Sequence, residues 1–269
     1  MKKTFPPSLG GSMIVRNAIE FDYCVAEALE SLCAVCDQVV VLDCKSTDGT
    51  LDLLRKTNEK LPNLKVATNG DWECAENYDR LRILTDKVNS FLDTTWIFQL
   101  QADEVIHENS FSYIKRAIND PRYRAYMIRR CNLFGDLNHC FKYDIPQDKK
   151  PCSDSIVRLA MRKHCKSYGD AESLQVDPKY MSQQLENITI FHYGYVREDS
   201  NHIKKTINMQ GWFHGKNSTP DQRVAQMSER YEWEKLKERE LLGPIPMSHP
   251  KFSEQWAQER QKNKIPLTD

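Results

Sequence analysis

Residues 38–54, QVVVLDCKSTDGTLDLL, decide the fold. Gln38 to Leu42 is an apolar, β-branched run without polar alternation, which predicts a strand buried on both faces. The polar turn Asp43-Cys44-Lys45-Ser46-Thr47-Asp48-Gly49-Thr50 ends it, with a Thr or Asp able to cap a helix that begins at Leu51. A buried strand, a polar turn and a helix make the repeating half of a parallel α/β sheet.

The same grammar extends in both directions. Ser12 to Val15 is a short apolar strand ending in Arg16-Asn17, and apolar residues at Phe21, Val25, Ala28, Leu29 and Leu32 follow one helix face. Downstream, Leu64 to Ala67 predicts a strand, and Tyr78, Leu81, Leu84, Val88 and Phe91 outline a helix. Trp96 to Leu100 predicts a central strand running into Gln101-Ala102-Asp103-Glu104; a helix near Ser110 to Ile118 and a strand near Ala125 to Arg129 follow. This alternation predicts an α/β fold with a mostly parallel sheet and helices on both faces. Ligands of such sheets sit beyond the carboxyl ends of the strands. The polar clusters at 16–17, 43–50 and 101–104 all fall there.

After about residue 196 the pattern changes. Asn201 to Trp212, Asp221 to Leu242 and Phe252 to Lys262 are charged, helix-forming stretches separated by Gly and Pro. They predict a helical C-terminal extension over 201–269, set behind an α/β domain over 1–200.

Composition narrows the function. The 269 residues are 40% hydrophobic and 10% aromatic, enough for a sizeable core, and Lys plus Arg equals Asp plus Glu at 38 each. Zero net charge argues against a dedicated high-affinity nucleic-acid binder. Lys149-Lys150, Arg158 to Lys166 and Lys204-Lys205 are the local basic runs a nucleic-acid acceptor would use. Prolines at 6 and 7 and the Gly10-Gly11 pair leave no apolar signal segment, and no apolar run is long enough to span a bilayer, so a cytoplasmic protein without a membrane span is expected. The nine cysteines then read as reduced core thiols, Cys33 and Cys36 included. No phosphate-binding G-x-x-x-x-G-K loop is present. Nor does a Gly-rich, basic loop of the sugar-nucleotidylyltransferase kind follow the first strand.

Three constellations carry chemistry. Asp103, at a central strand end, suits a hard ion such as Mn²⁺ or Mg²⁺, which also binds diphosphate oxygens. His192, in the aromatic strand Ile190 to Tyr195, is a nitrogen donor for the same ion. Asp43 can accept hydrogen bonds from a base or ribose, Arg16 offers a fixed cation for phosphate, and Lys204 and Lys205 lie where they could reach phosphates.

Taken together, these segments resemble the family 2 glycosyltransferases of the GT-A fold. The resemblance rests on Val15-Arg16-Asn17 with Phe21-Asp22-Tyr23, on Cys36 through Asp43, and on Ser46 through Thr50. It continues in WIFQLQADEVIHE (96–108) and FHYGYVRED (191–199), and it covers roughly residues 12 to 205. It implies a GT-A, Rossmann-like domain that transfers sugar, with inversion, from a nucleotide diphosphate donor, UDP by default. The acceptor would be a hydroxyl of a glycan, a protein or a modified nucleic acid. Carried over by motif, Asp43 contacts the base, and Arg16, Asn17, Gln101, Ala102 and Lys204 line the donor site. Asp103 and His192 hold Mn²⁺ or Mg²⁺. The chain departs from the usual Asp-x-Asp pattern at Gln101, which brings an amide where many members have a carboxylate. Inversion requires a general base; Asp170 is the choice and Glu172 the alternative, both in the turn Ser167 to Glu172. Gln101 also keeps open a rival reading, a non-catalytic GT-A-like module that binds a glycan or nucleotide.

Overall fold

The computed structural model describes residues 6–75, 79–134, 136–141, 155–181, 185–196, 204–205, 208 and 242–263. Its N-terminal half is β1 (Leu9–Val15), α1 (Val25–Cys33), β2 (Gln38–Asp43), α2 (Thr50–Lys60), β3 (Leu64–Ala67), α3 (Asp79–Ser90) and β4 (Trp96–Gln99). Strands β3, β2, β1 and β4 lie side by side and parallel. Then come β5 (Glu104–Ile106), α4 (Phe111–Ile118), β6 (Ala125–Phe134), β7 (His139–Phe141), β8 (Ser155–Met161), β9 (Cys165–Tyr168), β10 (Ser173–Val176), β11 (Leu185–Tyr195), β12 (Leu242–Pro244) and α5 (Glu254–Asn263). β8 joins β4 antiparallel and β6 joins β8 antiparallel. β11 runs parallel to β6 and antiparallel to β5, while β9 and β10 form a separate hairpin.

The α/β architecture expected of a GT-A fold is therefore present, with helices on both faces. Val25, Ala28, Leu29 and Leu32 of α1 are fully buried, and with α2 and α4 they cover one face. Leu84 and Val88 of α3 cover the other, against Val40, Leu42 and Ile97. Each such buried aliphatic side chain stabilises by about 1.5–3 kcal/mol. Cys33 and Cys36 sit in this core; burial pushes the Cys33 thiol up to about 12 and raises that of Cys36 well above its ordinary value, so both stay protonated.

One basic run is a surface only in part, with Arg162, Lys163 and Lys166 exposed. Arg158 to Lys166 begins inside β8, where Arg158 is completely buried and ion-paired with Glu104. Its alternation was obscured by the flanking Arg162, Lys163 and Lys166, so the strand was missed. Lys149-Lys150 lies outside the described residues. So do the predicted helices at 201–212 and 221–242, apart from Lys204, Lys205, Asn208 and Leu242. The third, Phe252 to Lys262, contains α5. Trp256 and Ala257 pack there around Tyr193 of β11, and Arg260 grips Asp22, donating from Nη2 at 2.6 Å and from Nε at 3.3 Å. No described helix is long and apolar enough to cross a membrane.

Candidate active site

The carboxyl ends of β1, β2 and β4 open onto a crevice built from three corners. In the first, the β1 and β2 loops are stitched together. Asn17 N–H donates to Ser46 Oγ at 2.9 Å and Asn17 Oδ1 accepts from Thr47 N–H at 2.9 Å. Its amide nitrogen donates to Glu20, so the whole Asn17 side chain serves as a loop clamp. Asp48 accepts from Glu20 N–H at 2.7 Å and from both the N–H and the hydroxyl of Thr50. Gly49 stands just before α2 with φ +91°, a conformation that a side chain would strain. Asn17, Asp22 and Lys45 also have positive φ here, and Ala171 does so in the third corner. Such outliers persist where surrounding contacts over-determine them.

Asp43 closes this corner. Its Oδ2 accepts Ser46 N–H at 3.2 Å, while Oδ1 is buried without a hydrogen-bond partner among the described residues. A buried carboxylate oxygen left this way calls for a donor from outside the chain. Nearby, the Arg16 guanidinium lies 5.0 Å over the Trp72 ring and that of Arg80 lies 5.5 Å from it. Trp72 escaped the sequence reading; a lone Trp in the polar loop Asp71 to Cys74 is the signal that could have found it.

The second corner is made at long range. β4 ends in the turn Gln101 to Asp103, and β11 returns beside β5 so that His192 pairs in register with Glu104. Tyr193 N–H donates to the Asp103 carbonyl at 2.9 Å, which sets His192 Nε2 3.6 Å from Asp103 Oδ2. On its other side, His192 Nδ1 is 2.6 Å from Asn132 Oδ1. An amide oxygen only accepts, so Nδ1 donates to Asn132 and Nε2 is the ring nitrogen turned toward Asp103. Gly194 leaves room for the ring, since a β-carbon there would stand 2.3 Å from Nε2. Ala102 is buried, and Gln101 presents its N–H to Glu104 Oε2 at 2.9 Å. Lys204 is exposed; its neighbour Lys205 turns in and donates to Asp103 Oδ2 at 2.9 Å.

A carboxylate oxygen and an imidazole nitrogen 3.6 Å apart are both ligand types for a divalent ion, and the imidazole has a hydrogen-bonded second partner behind it, as metal ligands usually have. Among the described residues no three His, Cys, Asp or Glu side chains form a metal cluster. Glu104 takes no part, because its Oε1 accepts from Arg158 Nη2 at 2.7 Å in the core.

The third corner is the turn between β9 and β10. Ala171, at φ +65°, offers its carbonyl to Gln99 Nε2 at 2.5 Å and Arg158 Nη1 at 3.5 Å. The turn carrying Asp170 and Glu172 is thereby fastened to the end of β4 and the middle of β8. Glu172 is ion-paired with Arg130. Asp170 is half-buried and, among the described residues, accepts the backbone N–H of Glu172. Through Arg158 and Glu104 this turn is linked to the Gln101 turn of the second corner.

No protein-family model matches the sequence, and no curated protein does. Among solved structures, the chain is similar to TarS 1–349 of S. aureus in complex with UDP, at 12% identity over 86% of this chain and 72% of that one, with a TM-score of 0.48. It is similar to the same protein with UDP-GlcNAc at 14% identity, over 82% and 71%, with a TM-score of 0.47. The mannosyltransferase PcManGT from Pyrobaculum calidifontis, in complex with GDP-Man and Mn²⁺, aligns with 49% of this chain and 36% of its own at 18% identity, with a TM-score of 0.33.

Proposed function

We propose that the chain is an inverting glycosyltransferase that moves a sugar from a nucleotide diphosphate donor to an acceptor hydroxyl. The observation that carries the reading is the approach of His192 to Asp103 at the end of β4, beside a crevice whose other wall holds Asp43 with an unused acceptor. The imide N–H of uracil is the kind of donor that Asp43 Oδ1 lacks, so a UDP-sugar is the proposed donor. Arg16, braced on Trp72, gives a fixed positive charge for phosphate. The backbone of Gln101 and Ala102 lines the floor, and Asn17 acts by holding the loops together. When bound to Asp103 and His192, Mn²⁺ or Mg²⁺ supplies charge neutralisation for the leaving diphosphate.

The chain's own residues handle the proton and the orientation. Asp170 is the proposed base: its carboxylate takes the proton of the acceptor hydroxyl as that oxygen bonds to the anomeric carbon. The bond from that carbon to the diphosphate oxygen breaks in the same step, and its electron pair leaves with the nucleoside diphosphate. Glu172 is the poorer candidate, because its carboxylate is already engaged by the Arg130 guanidinium. Its role is to fix the turn. The division at residue 200 remains part of the proposal, with α5 serving as a brace for the Asp22 loop.

Donor hydrolysis tests the reading. Purified protein is incubated with a panel of nucleotide sugars and Mn²⁺ or Mg²⁺, and nucleoside diphosphate release is followed. Release from one donor is expected, falling about a hundredfold or more in Asp103→Asn and staying near wild type in Cys33→Ser. Equal rates in the two variants would sink the assignment of Asp103. Nucleotide binding without turnover in the presence of any acceptor tried would favour the binding-module reading, for which Gln101 is the supporting feature.

A further inference from the structure

Lys205 reaches Asp103 from 102 residues away, and its surroundings are those of a parked charge. Its Nζ donates to Asp103 Oδ2 at 2.9 Å and to the Gly194 carbonyl at 3.3 Å, and it lies 5.4 Å over the Tyr23 ring. The side chain is 12% exposed. The oxygen it holds is the one that faces His192 Nε2 at 3.6 Å. An ammonium and a divalent cation therefore claim the same carboxylate oxygen, and like charges exclude each other at that range. Lysine suits a charge that must move: it is a compact point charge on four flexible methylenes, with no fork geometry fixing it to one partner.

We infer that Lys205 is a resident counter-ion of the donor site. It neutralises Asp103 while no donor is bound, lowers the affinity of the free protein for divalent metal, and passes to the diphosphate when the donor enters. The transfer exchanges one ion pair for another and makes no covalent change. This inference rests on the donor reading above. It makes metal and diphosphate binding mutually supportive, since the diphosphate draws the competing ammonium off Asp103.

The test is a pair of binding measurements needing no turnover. Mn²⁺ binding to the nucleotide-free protein is titrated by electron paramagnetic resonance, and UDP binding is measured calorimetrically in chelator. In Lys205→Met, Mn²⁺ affinity should rise about tenfold and UDP affinity should fall about tenfold, the size of one charged hydrogen bond gained or lost. Lys205→Arg keeps a charge on Asp103 and should bind Mn²⁺ no more tightly than wild type. Opposite signs are the signature, because a merely structural ion pair would weaken both ligands together when cut. Unchanged or weaker Mn²⁺ binding in Lys205→Met overturns the inference, as does an arginine variant that binds Mn²⁺ as tightly as the methionine one. Should the methionine variant fail to fold, the arginine variant and Lys205→Gln carry the same contrast. Wild type that binds no UDP at all would bring down the donor reading, and this inference with it.

Discussion

The two walls of the crevice are made in different ways. On the β1–β2 wall, polar side chains find their partners within their own turns or between two adjacent loops: Asp43 Oδ2 in Ser46, Asp48 in Thr50, Asn17 in Glu20 and Thr47. On the β4–β11 wall nearly every polar group is met from far along the chain. Arg158 to Glu104 spans 54 residues, His192 to Asn132 spans 60 and Tyr193 to His249 spans 56. The first wall is a local structure that the rest of the sheet supports. The second exists only once the antiparallel strands and the tail have docked, so its parts fail together.

The largest expected break in this contrast is at Arg158. Both Arg158 and Glu104 are completely buried, and removing one partner of a buried pair leaves an uncompensated charge, at a cost of about 3–5 kcal/mol. Arg158→Met should lose that much stability in urea unfolding, even though Arg130 Nη1 remains 3.7 Å from Glu104 Oε1. Adding Glu104→Gln removes the stranded charge yet keeps an acceptor for the Gln101 N–H, so the double variant should recover much of the loss. No recovery would mean that Arg158 acts through its hold on Ala171 rather than through Glu104.

The same division decides what the sequence could convey. Periodicity and turn chemistry act over a few residues, so β2, α2, β3 and the polar turns at 16–17, 43–50 and 101–104 were legible, and so was the α/β class. Asp43 and Asp103 could be picked because strand ends are where such sheets present side chains. The strand β8 was hidden, because its central polar residue is a buried arginine whose partner lies across the sheet. That Lys205 turns in beside an exposed Lys204, that Glu172 is held by Arg130, and that His249 serves the core are all consequences of pairing across the chain. No local signal announces them.

A second break is smaller and depends on pH. His249 fastens the tail to β11: its Nε2–H donates to the Leu137 carbonyl at 2.8 Å, and Nδ1 accepts from the Tyr193 hydroxyl at 2.9 Å. Burial is the chief cause of its lowered pKa, with His107 adding to the effect; the Leu137 hydrogen bond and Glu254 oppose it. The native state thus holds the ring neutral while the unfolded chain takes up a proton near 6.5. This contribution is complete above 6.5 and is lost as pH falls from there toward the depressed native value. The slope is one proton's, at most about 1.4 kcal/mol per pH unit. Urea midpoints measured on either side of 6.5 should show it in wild type and not in His249→Phe.

The smallest expected effect lies in the local wall, and its size is what the contrast turns on. Asp48→Ala removes the acceptor shared by Thr50 and Glu20, but α2 keeps its own hydrogen bonds and Leu54 stays buried. A lost cap of this kind costs about 1 kcal/mol. Burial alone would raise the Asp48 pKa, yet the hydrogen bonds from Thr50 and Glu20 outweigh it and hold the carboxyl below 3.8. Its stabilisation is therefore present above that pH and lost only as pH falls below it, so at neutral pH the variant shows the whole deficit. A loss near that of Arg158→Met would mean that the first wall, too, is cooperative with the whole sheet, and the distinction between the two walls would collapse. A loss of about 1 kcal/mol with unchanged unfolding cooperativity would place the molecule's fragility in the long-range pairs.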